Sequence, residues 1–174
     1  AIAIRNCFHD IGNDYLNKVA ENSYIPLFSM QDDIYHPLQV IADFLTMREH
    51  IGENLKGLKV AVVWAYATSH AKPLSVPQSQ ILFFPRYGMD VVVGHPKEFP
   101  LDPKIVAKAK KNAEENGGTL TFTDDMDEAV RNADVVIPKN WGGFAHFDKF
   151  VHDEEHFAIM KNNLEKHKDW IFDK

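Results

Sequence analysis

The sequence holds a single cysteine, Cys7, in 174 residues. One thiol cannot build an intramolecular disulfide framework and cannot supply the several thiolates of a structural zinc site, so a reducing, cytoplasmic setting is the expectation. Long apolar runs are missing too. None approaches the roughly 20 residues a membrane helix needs, and Arg5 and Asn6 interrupt the opening apolar residues too soon for a secretory signal, so no membrane partner is expected. Positive charge is not in excess either, since 19 Lys and Arg stand against 25 Asp and Glu, a formal net charge of −6. Such a chain lacks the basic field that draws proteins to nucleic acid, and an anionic ligand would need a local positive site.

What is present is an ordinary globular composition, 45% hydrophobic and 25% charged, enough to bury a core. Val60-Ala61-Val62-Val63-Trp64 is a continuous apolar run, suited to a strand covered on both faces. A helix predicted over 77–87 leads through Gly88 into the run Val91-Val92-Val93. Asp102 and Pro103 then open a helix as N-cap and first helical residue, its stripe is Ile105, Val106, Ala109 and Ala113, and Gly117-Gly118 ends it. A short strand over 120–123 follows. Asp125 caps the next helix with Glu128 placed for a capping box, and Met126, Ala129, Val130 and Ala133 give it an apolar face. Val135-Val136-Ile137 closes the series, with Pro138 expected to stop it.

Strands alternating with helices of this length predict an α/β fold with a Rossmann-like, three-layer parallel sheet and right-handed crossovers. The first fifty residues carry a separate set: strands over 2–4 and 25–28, a helix over 13–21 between them, and a long helix over 37–50. The glycine-bearing stretch 52–59 is the expected boundary, dividing the chain into 1–52 and 53–174. Both ends read as interior segments of something longer, because Ala1-Ile2-Ala3-Ile4 has a buried-strand pattern and Trp170-Ile171-Phe172-Asp173-Lys174 carries no terminal punctuation.

Four places could carry chemistry. In the segment from Ser29 to Gln39 a strand is expected to end near Ser29 and Pro37 to begin a helix, which puts His36 at the N-cap and Gln39 in the first turn. Leu38, Ile41, Ala42 and Leu45 read as that helix's buried face, with Asp43 and His50 pointing elsewhere. Unpaired N–H groups and the helix dipole would there meet one imidazole and one amide, a setting for a phosphate or a developing oxyanion. The other reading is a plain cap with a solvated glutamine. Arg5, at a strand end, points to the carboxyl edge where ligands bind in α/β folds, or is an ordinary surface arginine.

The connection from Trp64 through Tyr66, His70 and Lys72 to Gln78 stands where a dinucleotide-binding domain would carry its glycines, and it has none. Close backbone approach to a pyrophosphate is not expected, and no cofactor is. This connection is long and stiffened by Pro73 and Pro77, so it is either functional or a surface excursion. The fourth place is Lys139-Asn140-Trp141-Gly142-Gly143, a turn facing the same edge. His146, His152, His156 and His167 take no H-E-x-x-H arrangement, so no metal site is expected, and Cys7 has no evident activating partner.

Ile4-Arg5 followed by His36-Pro37-Leu38-Gln39-Val40-Ile41-Ala42-Asp43 resembles the aspartate/ornithine transcarbamylase superfamily and its H-P-x-Q motif. The later stretches are similar to its YgeW-type knotted branch. These are Trp64-Ala65-Tyr66, Lys72-Pro73-Leu74-Ser75-Val76-Pro77-Gln78, Arg86-Tyr87-Gly88-Met89-Asp90-Val91, Ala133 to Lys139, and His167-Lys168-Asp169-Trp170. H-P-x-Q alone is a weak signal, but in order with the others it covers nearly the whole chain.

The resemblance implies a carbamoyltransferase moving a carbamoyl group between carbamoyl phosphate and the amine or amide nitrogen of a small amino-acid-like acceptor. Residues 1–52 would then be the end of a carbamoyl-phosphate domain with an interdomain helix, and 53–174 an acceptor domain. It implies that Arg5 and His36 contact the carbamoyl oxygen and phosphate, that Gln39 holds the carbamoyl amide, and that Trp64, Tyr66, Lys72, Lys139 and Trp141 serve the acceptor. It further implies a knotted crossing near 72–77, a homotrimer, a place in amino acid metabolism, and no metal or cofactor. The Lys139-Asn140-Trp141-Gly142 turn stands where ornithine enzymes carry an Asp and Ser-Met-Gly motif, which argues against ornithine. The family's Ser-Thr-Arg-Thr and His-x-Leu-Pro loops do not occur in these residues, so the chain by itself is expected to be inactive. The rival classes are a nucleotide-dependent dehydrogenase, disfavoured by the glycine-free turn, and a non-catalytic small-molecule-binding module of the same fold.

Overall fold

A computed structural model describes residues 1–69, 72–144 and 154–172. Two parallel sheets organise them. The first pairs β1 (Ile2–Arg5) with β2 (Leu27–Gln31), joined by helix α1 (Gly12–Glu21), and helix α2 (Pro37–His50) follows. The second is four-stranded and holds β3 (Lys59–Trp64), β4 (Asp90–Gly94), β5 (Thr119–Thr123) and β6 (Val135–Lys139), in the spatial order β5-β4-β3-β6. Helices α3 (Ser75–Phe83), α4 (Pro103–Asn116) and α5 (Met126–Val130) make its crossovers, and α6 (Glu154–Lys166) comes last.

The apolar run in β3 behaves as its pattern predicts. Val60, Ala61, Val62, Val63 and Trp64 are each 0% exposed, because strands flank β3 on both sides and helices cover it. The chain passes from β3 to β4 and β5 on one side, then returns to set β6 on the other. The connection order therefore reverses beside β3, and a crevice opens at the carboxyl ends of β3 and β6, where α/β sheets bind ligands.

Several sequence expectations need correction. The helix expected over 77–87 starts at Ser75, with Pro77 in the first turn where its missing N–H has no intrahelical acceptor to lose. It gives way at Phe84 to a 3-10 turn, Phe84–Tyr87, as Pro85 demands. Pro138 does not stop β6, which runs to Lys139, since an edge strand loses no ladder bond where a missing N–H faces outward. Helix α5 ends at Val130 rather than reaching Ala133, because Asn132 adopts a left-handed φ of 56°. Asp125 caps it by accepting from Glu128 N at 3.0 Å, but the Glu128 carboxylate accepts from the Thr123 hydroxyl instead of closing a capping box. Strand β2 lies two residues later than expected and ends at Gln31, not near Ser29.

The largest correction concerns α2. It carries two apolar stripes, and the one expected to be buried is not: Leu38, Ile41 and Leu45 are 47%, 43% and 47% exposed, and Ala42 is exposed as well. Val40 and Met47 are buried instead, and Phe44 between them packs edge-on to Phe83 at 5.4 Å and beside Tyr87 at 4.5 Å. The partner decides the face, because α3 meets this stripe and turns Asp43 inward with it.

Gly94 ends β4 under α5. A Cβ placed there would lie 2.6 Å from the Ala129 Cβ and 3.4 Å from Val63 Cγ1. Gly94→Ala should therefore overpack this seam and lower stability by about 1–3 kcal/mol, read as a lower urea midpoint at unchanged slope. A midpoint equal to that of the unaltered protein would mean that α5 shifts at no cost.

Candidate active site

The site is assembled by the ends of three strands, the loop after β3 and the first turns of two helices. Arg5 closes β1 and Gln31 closes β2, in register with each other. Beyond β2, Asp32 Oδ1 accepts from the backbone N–H groups of Ile34 at 2.8 Å and Tyr35 at 2.6 Å, an Asx turn that redirects the chain toward Pro37. His36 is thereby the N-cap of α2, and its Nδ1 accepts from Gln39 N at 3.2 Å. A ring nitrogen that accepts carries no proton, so the proton of the neutral imidazole sits on Nε2, which becomes a donor.

A cavity of about 530 Å³ opens where the two sheets' carboxyl edges face each other. Arg5, His36 and Gln39 line it together, as their shared placement at strand and helix ends predicts. Lys72 and Lys139 line it from the other side. A backbone bond brings these two lysines near each other, because Gly142 N donates to Lys72 O at 2.9 Å and so ties the loop after β3 to the turn after β6.

Three residues expected to serve the acceptor lie elsewhere. Trp64 and Trp141 are 0% and 1% exposed and belong to the core. Trp64 stacks on Phe99 at 4.5 Å and donates from Nε1 to Trp141 O, while Trp141 Nε1 donates to Phe99 O, each at 2.9 Å. An indole needs apolar contact and one acceptor, and both find them here rather than in a ligand. Tyr66 does not line the cavity, and its backbone N–H donates to Trp170 O at 2.7 Å. His70, His146 and His152 lie outside the described residues. His167 pairs with Glu98 at 2.9 Å.

The cavity wall also holds Ser69 and Val76 from the connection over 64–78, and Gln31, Asp43 and Gln80, which the sequence reading missed. Helix α3 supplies the signal that could have found some of them, for Ser75, Gln78, Ser79 and Gln80 are all buried polar side chains. Each bonds the stretch that leads from β2 into α2: Gln31 Nε2 donates to Ser75 Oγ at 2.9 Å, Gln78 Nε2 to Ile34 O at 3.1 Å, His36 N to Ser79 Oγ at 2.7 Å, and Gln80 Nε2 to Asp43 Oδ2 at 2.7 Å.

The electrostatics are those of an anion site. Burial, then the Arg5 charge, and further the Lys139 charge push the His36 pKa below its ordinary value of 6.5. Burial, then Lys72 and Arg5, push Lys139 below the ordinary lysine value of 10.5. Such crowding of positive charge is relieved by a bound anion. Among the described residues, His9, Asp10 and Asp33 place possible metal-ligand atoms within 4.8 Å of one another. That group lies outside this cavity, and Asp33 Oδ1 already accepts from Asn13 N at 2.7 Å.

Residues 56–173 match the family model described as "Aspartate/ornithine carbamoyltransferase, Asp/Orn binding domain". The chain is 37% identical to YgeW of Escherichia coli (strain K12), a protein provisionally named a carbamoyltransferase, over 98% of this chain and 49% of that one. It is 34% identical to the catabolic ornithine carbamoyltransferase of Bacillus licheniformis, over 88% of this chain and 43% of the other. Among solved structures, a mutant N-acetyl-L-ornithine transcarbamylase complexed with carbamyl phosphate and N-succinyl-L-norvaline superposes with a TM-score of 0.87 at 27% identity, covering 98% of this chain and 51% of that one. The chain thus spans about half the length of the curated relatives it matches.

The lowered pKa of His36 has a testable origin. A nearby positive charge opposes protonation, so Lys139→Met should raise the His36 midpoint toward 6.5 in an NMR titration of the ring. The folded protein takes up this proton less readily than the unfolded chain, so His36 makes stability fall as the pH drops below 6.5. A midpoint that ignores the Lys139 substitution would show that the two groups do not interact.

Proposed function

The chain belongs to the aspartate/ornithine carbamoyltransferase family, and on that premise we propose that it supplies part of the active site of a carbamoyltransferase acting on carbamoyl phosphate and a small amino-acid-like acceptor. One observation carries the reading: Arg5, His36 and Gln39 converge on a cavity that Lys72 and Lys139 close from the facing sheet. Phosphate and carboxylate groups both suit such a cluster.

In this reading the phosphate lies against Arg5, and the carbonyl oxygen accepts from His36 Nε2–H. Gln39 takes the carbamoyl amide. The acceptor nitrogen's lone pair forms the new C–N bond, charge collects on the carbonyl oxygen, and the C–O bond to phosphate breaks as the nitrogen gives up its proton to the departing phosphate. A neutral imidazole held as a donor stabilises that oxyanion without first having to lose or gain a proton. Lys72 and Lys139 are the residues we assign to the acceptor's anionic end. Trp64 and Trp141 act beneath that edge, as its packing support.

We further propose that 1–52 belong to a carbamoyl-phosphate domain and 53–174 to the acceptor domain, and that both work within a protein about as long as the relatives. The apolar side chains left open on the first unit support this, since Phe28, Met30, Leu38, Ile41 and Leu45 are each at least 40% exposed. A homotrimer, a knotted crossing near 72–77 and a cytoplasmic location complete the proposal. No helix among the described residues is long and apolar enough to cross a membrane. The 174 residues alone are expected to be inactive.

The test is made on the protein at its relatives' length, with carbamoyl phosphate and a panel of amino acids and amides. His36→Ala should lower kcat by roughly 10²–10³, the cost of one oxyanion donor, while lowering stability by only about 1 kcal/mol, that of its cap bond. A variant that melts lower but turns over at the normal rate would reduce His36 to a helix cap, worth about 1 kcal/mol. Ligand binding without turnover of any acceptor would favour a non-catalytic binding module.

A further inference from the structure

Three polar side chains on the cavity wall form a chain of their own. Gln39 Nε2 donates to Asp43 Oδ1 at 2.8 Å, and Gln80 Nε2 donates to Asp43 Oδ2 at 2.7 Å. Gln39 and Asp43 are neighbours on α2 at i, i+4 spacing, whereas Gln80 comes from α3 of the other unit. All three line the same cavity.

A primary amide has a donor end and an acceptor end of nearly equal size, so its orientation is set only by what each end meets. A carboxylate offers acceptors alone and can therefore hold only the N–H end of either glutamine. The cost of this arrangement is visible at Gln80, which is 1% exposed and whose Oε1 has no hydrogen-bond partner. A buried acceptor without a donor is unfavourable, but turning the amide over would press its carbonyl oxygen against the carboxylate. Gln80 is thus held by its nitrogen end although its oxygen goes unsatisfied. Gln39, exposed on the other side of Asp43, is held by the same end, which leaves its Oε1 for the cavity.

We propose that Asp43 and Gln80 are positioning residues that lock the Gln39 amide with its carbonyl oxygen toward the ligand, so that the site selects a carbamoyl NH₂ group over a methyl group of the same size. The inference rests on the carbamoyl-phosphate reading given above. Without the lock, Gln39 can present either end and the selection weakens. Because Gln80 belongs to α3, the selection also depends on the docking of the second unit against α2.

Two stable phosphonates test this on the protein at its relatives' length: phosphonoacetamide, which keeps the NH₂, and acetonylphosphonate, which replaces it with methyl. Calorimetric affinities should favour the amide in the unaltered protein. Asp43→Asn, whose own amide can hold either end of Gln39, should shrink that preference about tenfold, and Gln80→Met about threefold, the range of one hydrogen bond. Proportionate weakening of both ligands, or an unchanged preference, would overturn the proposal, since that is what a merely structural role produces. Equal affinities in the unaltered protein would overturn it as well. If that protein binds neither phosphonate, the carbamoyl-phosphate reading itself falls and the proposal with it. Should Asp43→Asn fail to fold, Gln80→Met decides alone.

Discussion

The parallel pairing of β3 with β6, which sets Trp64 opposite Lys139, is the contact on which the site depends. It returns the chain to the far side of β3 and so opens the crevice at the strand ends. Beyond the last paired residues, the Gly142 to Lys72 bond continues the approach of the two chain segments. Gly143 must follow without a side chain, because a Cβ there would lie 2.2 Å from Glu98 O. Positive groups that would separate in solution are held together by backbone pairing and by the Trp64–Phe99 stack beneath them. Burial first, and that crowding of charge second, lower the pKa of both His36 and Lys139.

Helix α3 meets α2 and the end of β2 through a seam that is polar as well as apolar. Ser75, Gln78, Ser79 and Gln80 each bond across it, to Gln31, the Ile34 carbonyl, the His36 amide and Asp43. Such bonds contribute only about 1 kcal/mol each, so their main effect is directional. They fix where His36 and Asp43 stand relative to the facing lysines.

Elements with a local cause could be read in the chain. Asp102 accepts from Lys104 N at 2.8 Å and Gly117 takes a φ of 71°, so α4 begins and ends at the residues its capping signals indicate. His36 and Pro37 likewise start α2. The misreadings arose where two local patterns were equally plausible. Helix α2 has one apolar stripe through Leu38, Ile41 and Leu45 and another through Val40, Phe44 and Met47, and nothing local ranks them. Trp64 and Trp141 sit in segments that border the site, and their burial follows from what packs over them.

The sequence by itself determined the kinds of elements, their order, and the presence of Arg5, His36 and Gln39 at strand and helix ends, because caps, prolines and periodicity act over a few residues. The tertiary structure decided which face of α2 is buried, that Lys72 and Lys139 share the cavity with those three, and that Asp43 bridges Gln39 and Gln80. Those outcomes depend on contacts between segments tens of residues apart. Strand order and helix docking set such contacts, and neither is encoded in any local pattern.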